Sequence, residues 1–142
     1  MDFDKFFQYK NNTEEQYYEI NIFTNQFKRQ ENYDIILATI VKLMSIILEK
    51  SNNEYNKDFV IINIDFLDFD IFSFDSDFCY TLITVMQNLY PEKLKTCNVY
   101  NMSSFYKNIL RFILNLLDDN TRSKIKIIKK DKNQENYNFE IK

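Results

Sequence analysis

Four short strand-like segments, separated by three long apolar stretches of helical character, constrain this chain more than any other feature. The strand-like segments are "YYEINIF" (Tyr17 to Phe23), "DFVIINIDF" (Asp58 to Phe66), "TCNVYN" (Thr96 to Asn101) and "KIKII" (Lys124 to Ile128). The first alternates apolar and polar residues, and the second is a near-continuous apolar run bounded by polar residues, as a central parallel strand is. Between them lie "ENYDIILATIVKLMSIILEKS", "DSDFCYTLITVMQNLY" and "SSFYKNILRFILNLL". Strands joined through helices predict an α/β fold: a single small, largely parallel sheet with helices packed on it, in β-α-β-α-β-α-β order. Residues 1–16 read as a flexible N-terminal segment whose aromatic patch (Phe3, Phe6, Phe7) is able to dock, 17–130 as the domain, and 131–142 as a polar C-terminal tail.

The punctuation is unusual, because the chain has one proline and no glycine. Pro91 follows the second helical stretch and stops it, since proline cannot continue a helix. Asp75 or Ser76 suits the N-cap of that helix, and Ser103 or Ser104 that of the third. The first helix shows only a narrow polar line (Ala38, Lys42, Ser45, Glu49) and is expected to be mostly buried. In the third, Lys107, Arg111 and Asn115, with Asn108 beside them, form one thin polar stripe. Such a helix is either packed on most sides or offers apolar surface to a ligand, partner or membrane.

Composition narrows the function. A formal charge of −3 gives no general attraction to nucleic acid. Charge is nonetheless segregated: "RSKIKIIKKDK" holds six bases and one acid, and "DFLDFDIFSFDSD" holds five aspartates and no base. Cys79 and Cys97 form no CxxC, and without histidine a zinc site lacks ligands, so no metal or cofactor is expected and both thiols read as buried and free. The N-terminus lacks the pattern of a signal peptide. The longest apolar run, Ile35 to Leu48, contains Lys42 and is too short to span a bilayer. A cytoplasmic protein is the expectation. Asp68 and Asp70 have the DxD spacing used by some phosphotransferases, yet they read more simply as outward charges alternating with inward aromatics. With no Gly-rich phosphate loop and no histidine base, the chain is not expected to be an enzyme.

Read together, "YPEKLKTCNVYNMSSFYKNILRFILNLLDDNTRSKIKII" resembles the CRAL-TRIO, or Sec14-like, lipid-binding domain in a reduced form. The resemblance rests on Asp65, on Tyr90-Pro91-Glu92-Lys93-Leu94, on Asn98-Val99-Tyr100-Asn101, and on Phe105, Leu117-Asp118, Thr121 and Lys124-Ile125. The chain departs from the family pattern where "DFLDFD" replaces a glycine after the strand aspartate, and where Ser103 or Ser104 replaces a helix-opening proline. The resemblance implies that Glu92 and Lys124 help hold an inositol-phosphate headgroup, with Asp118 and Thr121 as near neighbours. It implies too that the third helix acts as a gate whose Phe105, Ile109, Phe112, Ile113 and Leu116 meet acyl chains. The function implied is non-catalytic binding or transfer of phosphatidylinositol or a related phospholipid, with a transient membrane surface as a further partner and a location peripheral to membranes. The basic stretch from Lys124 would add about 1 kcal/mol per residue of attraction to anionic membranes. The second reading is a protein–protein interaction domain of the same fold with a vestigial pocket, as in BCH-like domains, docking a protein through helix 103–117.

Overall fold

Each of the four expected strands carries the same short pattern, a polar residue between two apolar ones: Ile20-Asn21-Ile22, Ile62-Asn63-Ile64, Cys97-Asn98-Val99 and Ile125-Lys126-Ile127. Because side chains alternate across a strand, this pattern gives each strand one apolar and one polar face. The protein, seen in a computed structural model that describes residues 6–26, 33–130 and 137–141, aligns the four patterns side by side. Strands β1 (Phe7–Asn12), β2 (Tyr17–Phe23), β3 (Val60–Asp65), β4 (Leu94–Tyr100), β5 (Ile125–Lys130) and β6 (Tyr137–Ile141) form one sheet in the order β1-β2-β3-β4-β5-β6. Strands β2 to β5 are parallel, while β1 and β6 add antiparallel edges. The α/β sheet is thus as expected, with a strand added at each side.

Those additions correct the boundaries drawn from sequence. Residues 7–12, expected to be flexible, pair along their whole length with 17–22. Phe6 and Phe7 are buried against Ile36 and Ile40, so this part of the aromatic patch docks; Phe3 lies outside the described residues. Residues 137–141 of the expected tail form β6, and 131–136 lie outside the described residues.

Helix α1 (Tyr33–Tyr55) connects β2 to β3, α2 (Ser76–Leu89) connects β3 to β4, and α3 (Lys107–Leu116) with the short α4 (Asp119–Arg122) connects β4 to β5. Every parallel connection steps to the next strand in the same direction, so right-handed crossovers set all the helices on one face. The packing agrees. Ile109, Ile113 and Leu114 of α3 meet Val99, Ile125 and Ile127, while Met44 and Ile47 of α1 meet Ile20 and Val60. Helix α2 packs against α1 through Leu82 and Met86 and reaches α3 through Gln87, whose amide donates to Leu116 O at 3.4 Å. In α1 the buried residues are Ile36, Ile40, Met44, Ile47 and Ser51, one stripe at helical spacing. The polar line Ala38, Lys42, Ser45 and Glu49 is exposed, but so are Ile35 and Ile46, and the helix is less buried than its sequence suggested.

The other face of the sheet is polar along its middle row, although Ile61 and Ile128 are buried on the same side. Asn21, Asn63, Asn98 and Lys126 stand in one row across β2 to β5. The Asn63 amide donates to Glu19 Oε1 (3.1 Å) and Asn21 Oδ1 (2.9 Å), and Asn98 Nδ2 donates to Asn63 Oδ1 (2.9 Å). Strand β3 is therefore not a strand between two apolar layers; the described helices all pack on its other side.

With no glycine available, the left-handed backbone positions among the described residues fall on Gln16, Asn56, Asp68, Glu92 and Asn101. Gln16 closes the β1–β2 turn, its N–H reaching Asn12 O at 2.8 Å. Asn56 ends α1 in the manner usual for glycine, with Asn56 N–H on Asn52 O (3.0 Å) and Lys57 N–H on Ser51 O (3.2 Å).

Candidate functional site

Helix α2 starts at Asp75, whose carboxylate accepts from Phe78 N at 3.0 Å, as the cap chemistry predicts. Its end explains the Tyr-Pro-Glu unit. Tyr90 N–H reaches back to Met86 O, and its hydroxyl donates to Val41 O at 2.9 Å and lies 2.6 Å from Ser45 Oγ. The tyrosine thus fastens the turn to α1. Pro91 has no N–H with which to continue the helix. Glu92 then takes a left-handed conformation (φ 61°) that redirects the chain into β4 and leaves its side chain exposed.

On the neighbouring crossover, α4 is a single turn built by Asp118. Its carboxylate accepts from Thr121 N at 2.7 Å. The Thr121 backbone and side-chain donors, with smaller contributions from the charges of Lys124 and Arg122, hold this carboxyl below its usual range against a slight effect of burial. Lys124 N–H closes the turn on Thr121 O at 3.0 Å, and Lys124 O accepts from Cys97 N (2.9 Å) and Thr96 Oγ1 (3.0 Å). Asp118, Thr121 and Lys124 are thus drawn together at the start of β5. Glu92 stands at the same end of the sheet, two residues before β4, and no described hydrogen bond or ion pair joins it to the other three.

Lysines gather at this end. Lys93 pairs with Asp58 at 2.6 Å, and the ammonium groups of Lys57 and Lys95 lie 5.8 and 4.7 Å from the centroid of the Phe59 ring. Sequence reasoning missed Lys57, Phe59 and Lys95. They meet because Lys95 falls at a register shift between β3 and β4, which no single segment reveals.

Helix α3 lies with its apolar side on the sheet. Ile109 is buried, Phe112, Ile113 and Leu116 are half-buried, and Phe105 is 73% exposed in the turn before the helix. Phe112 meets Phe74 edge-on at 5.9 Å. The stripe of Lys107, Asn108, Arg111 and Asn115 faces solvent. Neither Ser103 nor Ser104 caps the helix with its side chain; a short 3-10 turn at Ser104–Tyr106 leads in instead. Three side chains outside the helix hold its ends. Arg122 donates to Leu114 O (3.0 Å) and Leu117 O (2.9 Å). Gln87 bridges Leu116 O and Asp118 N, and Tyr106 Oη donates to Phe69 O at 2.8 Å.

Elsewhere the chemistry is mostly occupied or suppressed. Asp70 accepts from Phe72 N (3.0 Å) and Ser73 Oγ (3.1 Å) and so caps its own loop, while Asp68 is exposed in a left-handed conformation. Burial pushes the Cys79 thiol up to about 11 and the Cys97 thiol up to about 12. Cys97 is buried as expected, but Cys79 only partly. Among the described residues, no group of three or more His, Cys, Asp or Glu side chains could hold a metal ion, and no helix is long and apolar enough to cross a membrane.

The crystal structure of Sfh5 shares the fold: TM-score 0.65 at 19% identity, covering 78% of this chain. The chain spans 41% of that protein's length. Among curated proteins none matches. The sequence profile of the CRAL/TRIO domain matches residues 5–141, nearly the whole chain. The protein belongs to the CRAL/TRIO domain family, whose members bind lipids and other small lipophiles.

Proposed function

We propose that the protein is a non-catalytic module that binds a phospholipid of the phosphatidylinositol type, with Lys124, Thr121, Asp118 and Glu92 at the headgroup. The observation that supports this most is the α4 turn. It sets an ionised carboxylate, a hydroxyl and an ammonium three residues apart in turn (Asp118, Thr121, Lys124), and no described hydrogen bond or ion pair engages the Lys124 ammonium. Lysine supplies a point charge to a phosphate, and the carboxylate and hydroxyl suit inositol hydroxyls. The nearby Lys57, Lys93 and Lys95 add positive potential at the same end of the sheet.

The acyl chains need several hundred Å³. Ile109, Ile113, Leu114 and Leu117 rest directly on the sheet, so α3 would have to lift for the chains to enter. That same packing favours the second reading, an interaction domain that keeps the fold and docks a protein through residues 103–117. A cytoplasmic site of action, at the membrane periphery, belongs to the first reading.

Vesicle co-sedimentation separates them. Lys124→Ala is expected to weaken binding to phosphatidylinositol-containing vesicles about tenfold, the value of one charge-assisted hydrogen bond, with a native circular dichroism spectrum. Unchanged binding by a folded variant would refute the headgroup assignment. Native mass spectrometry with organic extraction reads out the pocket itself: a protein that stays free of lipid after incubation with vesicles favours the docking module.

A further inference from the structure

Helix α1, 23 residues long, turns an outward face to solvent that is short of charge. The side opposite its buried stripe exposes Ile35, Ala38, Lys42, Ser45, Ile46 and Glu49. Ile35 is 50% and Ile46 40% exposed, and from Ile35 to Leu48 the sole charged residue is Lys42. A helix face that meets only water ordinarily carries a broad band of charge. Helix α2 covers one flank, where Tyr90 Oη reaches Val41 O and Ser45 Oγ, and leaves this outward face open.

The pattern of the face is self-complementary. In an antiparallel pair of identical helices, a two-fold axis sets each residue against the one equally far on the other side of the axis. With the axis between Ser45 and Ile46, Lys42 stands before it by the same interval as Glu49 stands after it, about 5 Å along the helix. Each Lys42 ammonium then meets Glu49 of the second copy, on both sides of a centre formed by Ser45 and Ile46. No described hydrogen bond or ion pair engages Lys42 or Glu49 within the chain. The small side chains of Ala38 and Ser45 let the two helices approach closely. A parallel pair would set lysine on lysine and glutamate on glutamate, so charge selects the antiparallel arrangement.

We infer that this face of α1 is a self-association surface, on which two copies of the chain pair through antiparallel α1 helices about an axis between Ser45 and Ile46. The pairing is independent of the proposed lipid site, because α3 and the α4 turn lie beyond α2, over β4 and β5, and stay uncovered. A contact of one helix per copy is at the low end of specific interfaces, so the dimer is weak and forms at high protein concentration.

The test is sedimentation velocity over a concentration series that reaches the millimolar range, where a reversible monomer–dimer equilibrium is expected. Ile46→Glu brings two carboxylates to the axis and should weaken association about tenfold or more. Lys42→Glu and Glu49→Lys each set like charges together at both symmetric contacts, and each should weaken self-association about tenfold. Mixed in equal amounts, these two variants restore an opposite charge at every contact and should pair with each other more tightly than either pairs with itself. All three positions are exposed, so each variant should keep a native circular dichroism spectrum. A monomer at every concentration would give the face to some other occupant and overturn the inference. A dimer untouched by Ile46→Glu, or a mixture of the two charge variants that forms no heterodimer, would overturn it as well.

Discussion

Whether α3 can leave the sheet is testable through one side chain. The last carbonyls of a helix have no partner within it. For α3, Arg122 supplies two donors, Nε to Leu114 O at 3.0 Å and Nη2 to Leu117 O at 2.9 Å, and places a positive charge at the negative end of the helix. Its ion pair with Asp119 is long (3.4 Å) and its partner fully exposed, so it contributes little. Hydrogen bonds from a charged donor are worth about 1.5–3 kcal/mol each when desolvated. The Arg122 side chain is 44% exposed, which lowers the pair to about 1–2 kcal/mol in total. Arg122→Ala should therefore raise the open population of the C-terminal turn of α3 about five- to thirtyfold. Native-state hydrogen exchange reads this directly. Amides of Ile113 to Leu116 should lose protection by that factor, while those of β3 and β4 keep theirs. If lipid enters beneath α3, uptake from vesicles should accelerate alongside. Unchanged exchange in α3, or an equal loss throughout the sheet, would refute the claim that Arg122 holds this helix end locally.

Two further outcomes follow from the ionisable groups. The hydrogen bond to Glu54, followed by burial, pushes the Tyr18 hydroxyl up from 10.0 to about 12. Its contribution to stability is present below pH 10 and is lost as pH rises through about 12, so an alkaline unfolding series should show a loss in that window that Tyr18→Phe lacks. The thiols should react in order: at pH 8 Cys79, at about 11, should react roughly 100-fold more slowly than a free thiol, and the buried Cys97 only on unfolding. A fast reaction of both with a colorimetric disulfide reagent in the native protein would contradict this.

The sequence made the parallel sheet legible because the strands carry apolar runs and the helices between them are long. It did not show β1, since "FQYKNN" has few apolar residues and is held by pairing with β2 rather than by its own pattern. Strand β6, "YNFEI", likewise depends on pairing with β5. The polar face escaped notice for a different reason. Asn21, Asn63 and Asn98 are unremarkable singly and become a ladder only when the register brings them level. The signal was nonetheless present, in the apolar-polar-apolar triplet common to four strands. At the α4 turn, Asp118, Thr121 and Lys124 were legible from family resemblance. The long-range contacts of Gln87 and Arg122 with α3 were not, because each joins residues on different elements.

Glu92 is where structural and functional demands on one residue can be separated. Its φ of 61° costs a non-glycine residue about 1–2 kcal/mol. Such strain often accompanies a functional site. A chain free of glycine has placed a charged residue where glycine would sit without strain. Glu92→Gly should relieve the strain, while the greater freedom of glycine in the unfolded chain takes back about 0.5–1 kcal/mol. The net gain of about 0–1.5 kcal/mol corresponds to a rise in Tm of up to roughly 6 °C for a domain of this size. If the carboxylate serves a headgroup, the same substitution should weaken phosphatidylinositol vesicle binding while stability rises. A higher Tm with unchanged binding would reduce Glu92 to a turn residue. A lower Tm would mean that the carboxylate makes a stabilising contact and that strain is the smaller effect at this position.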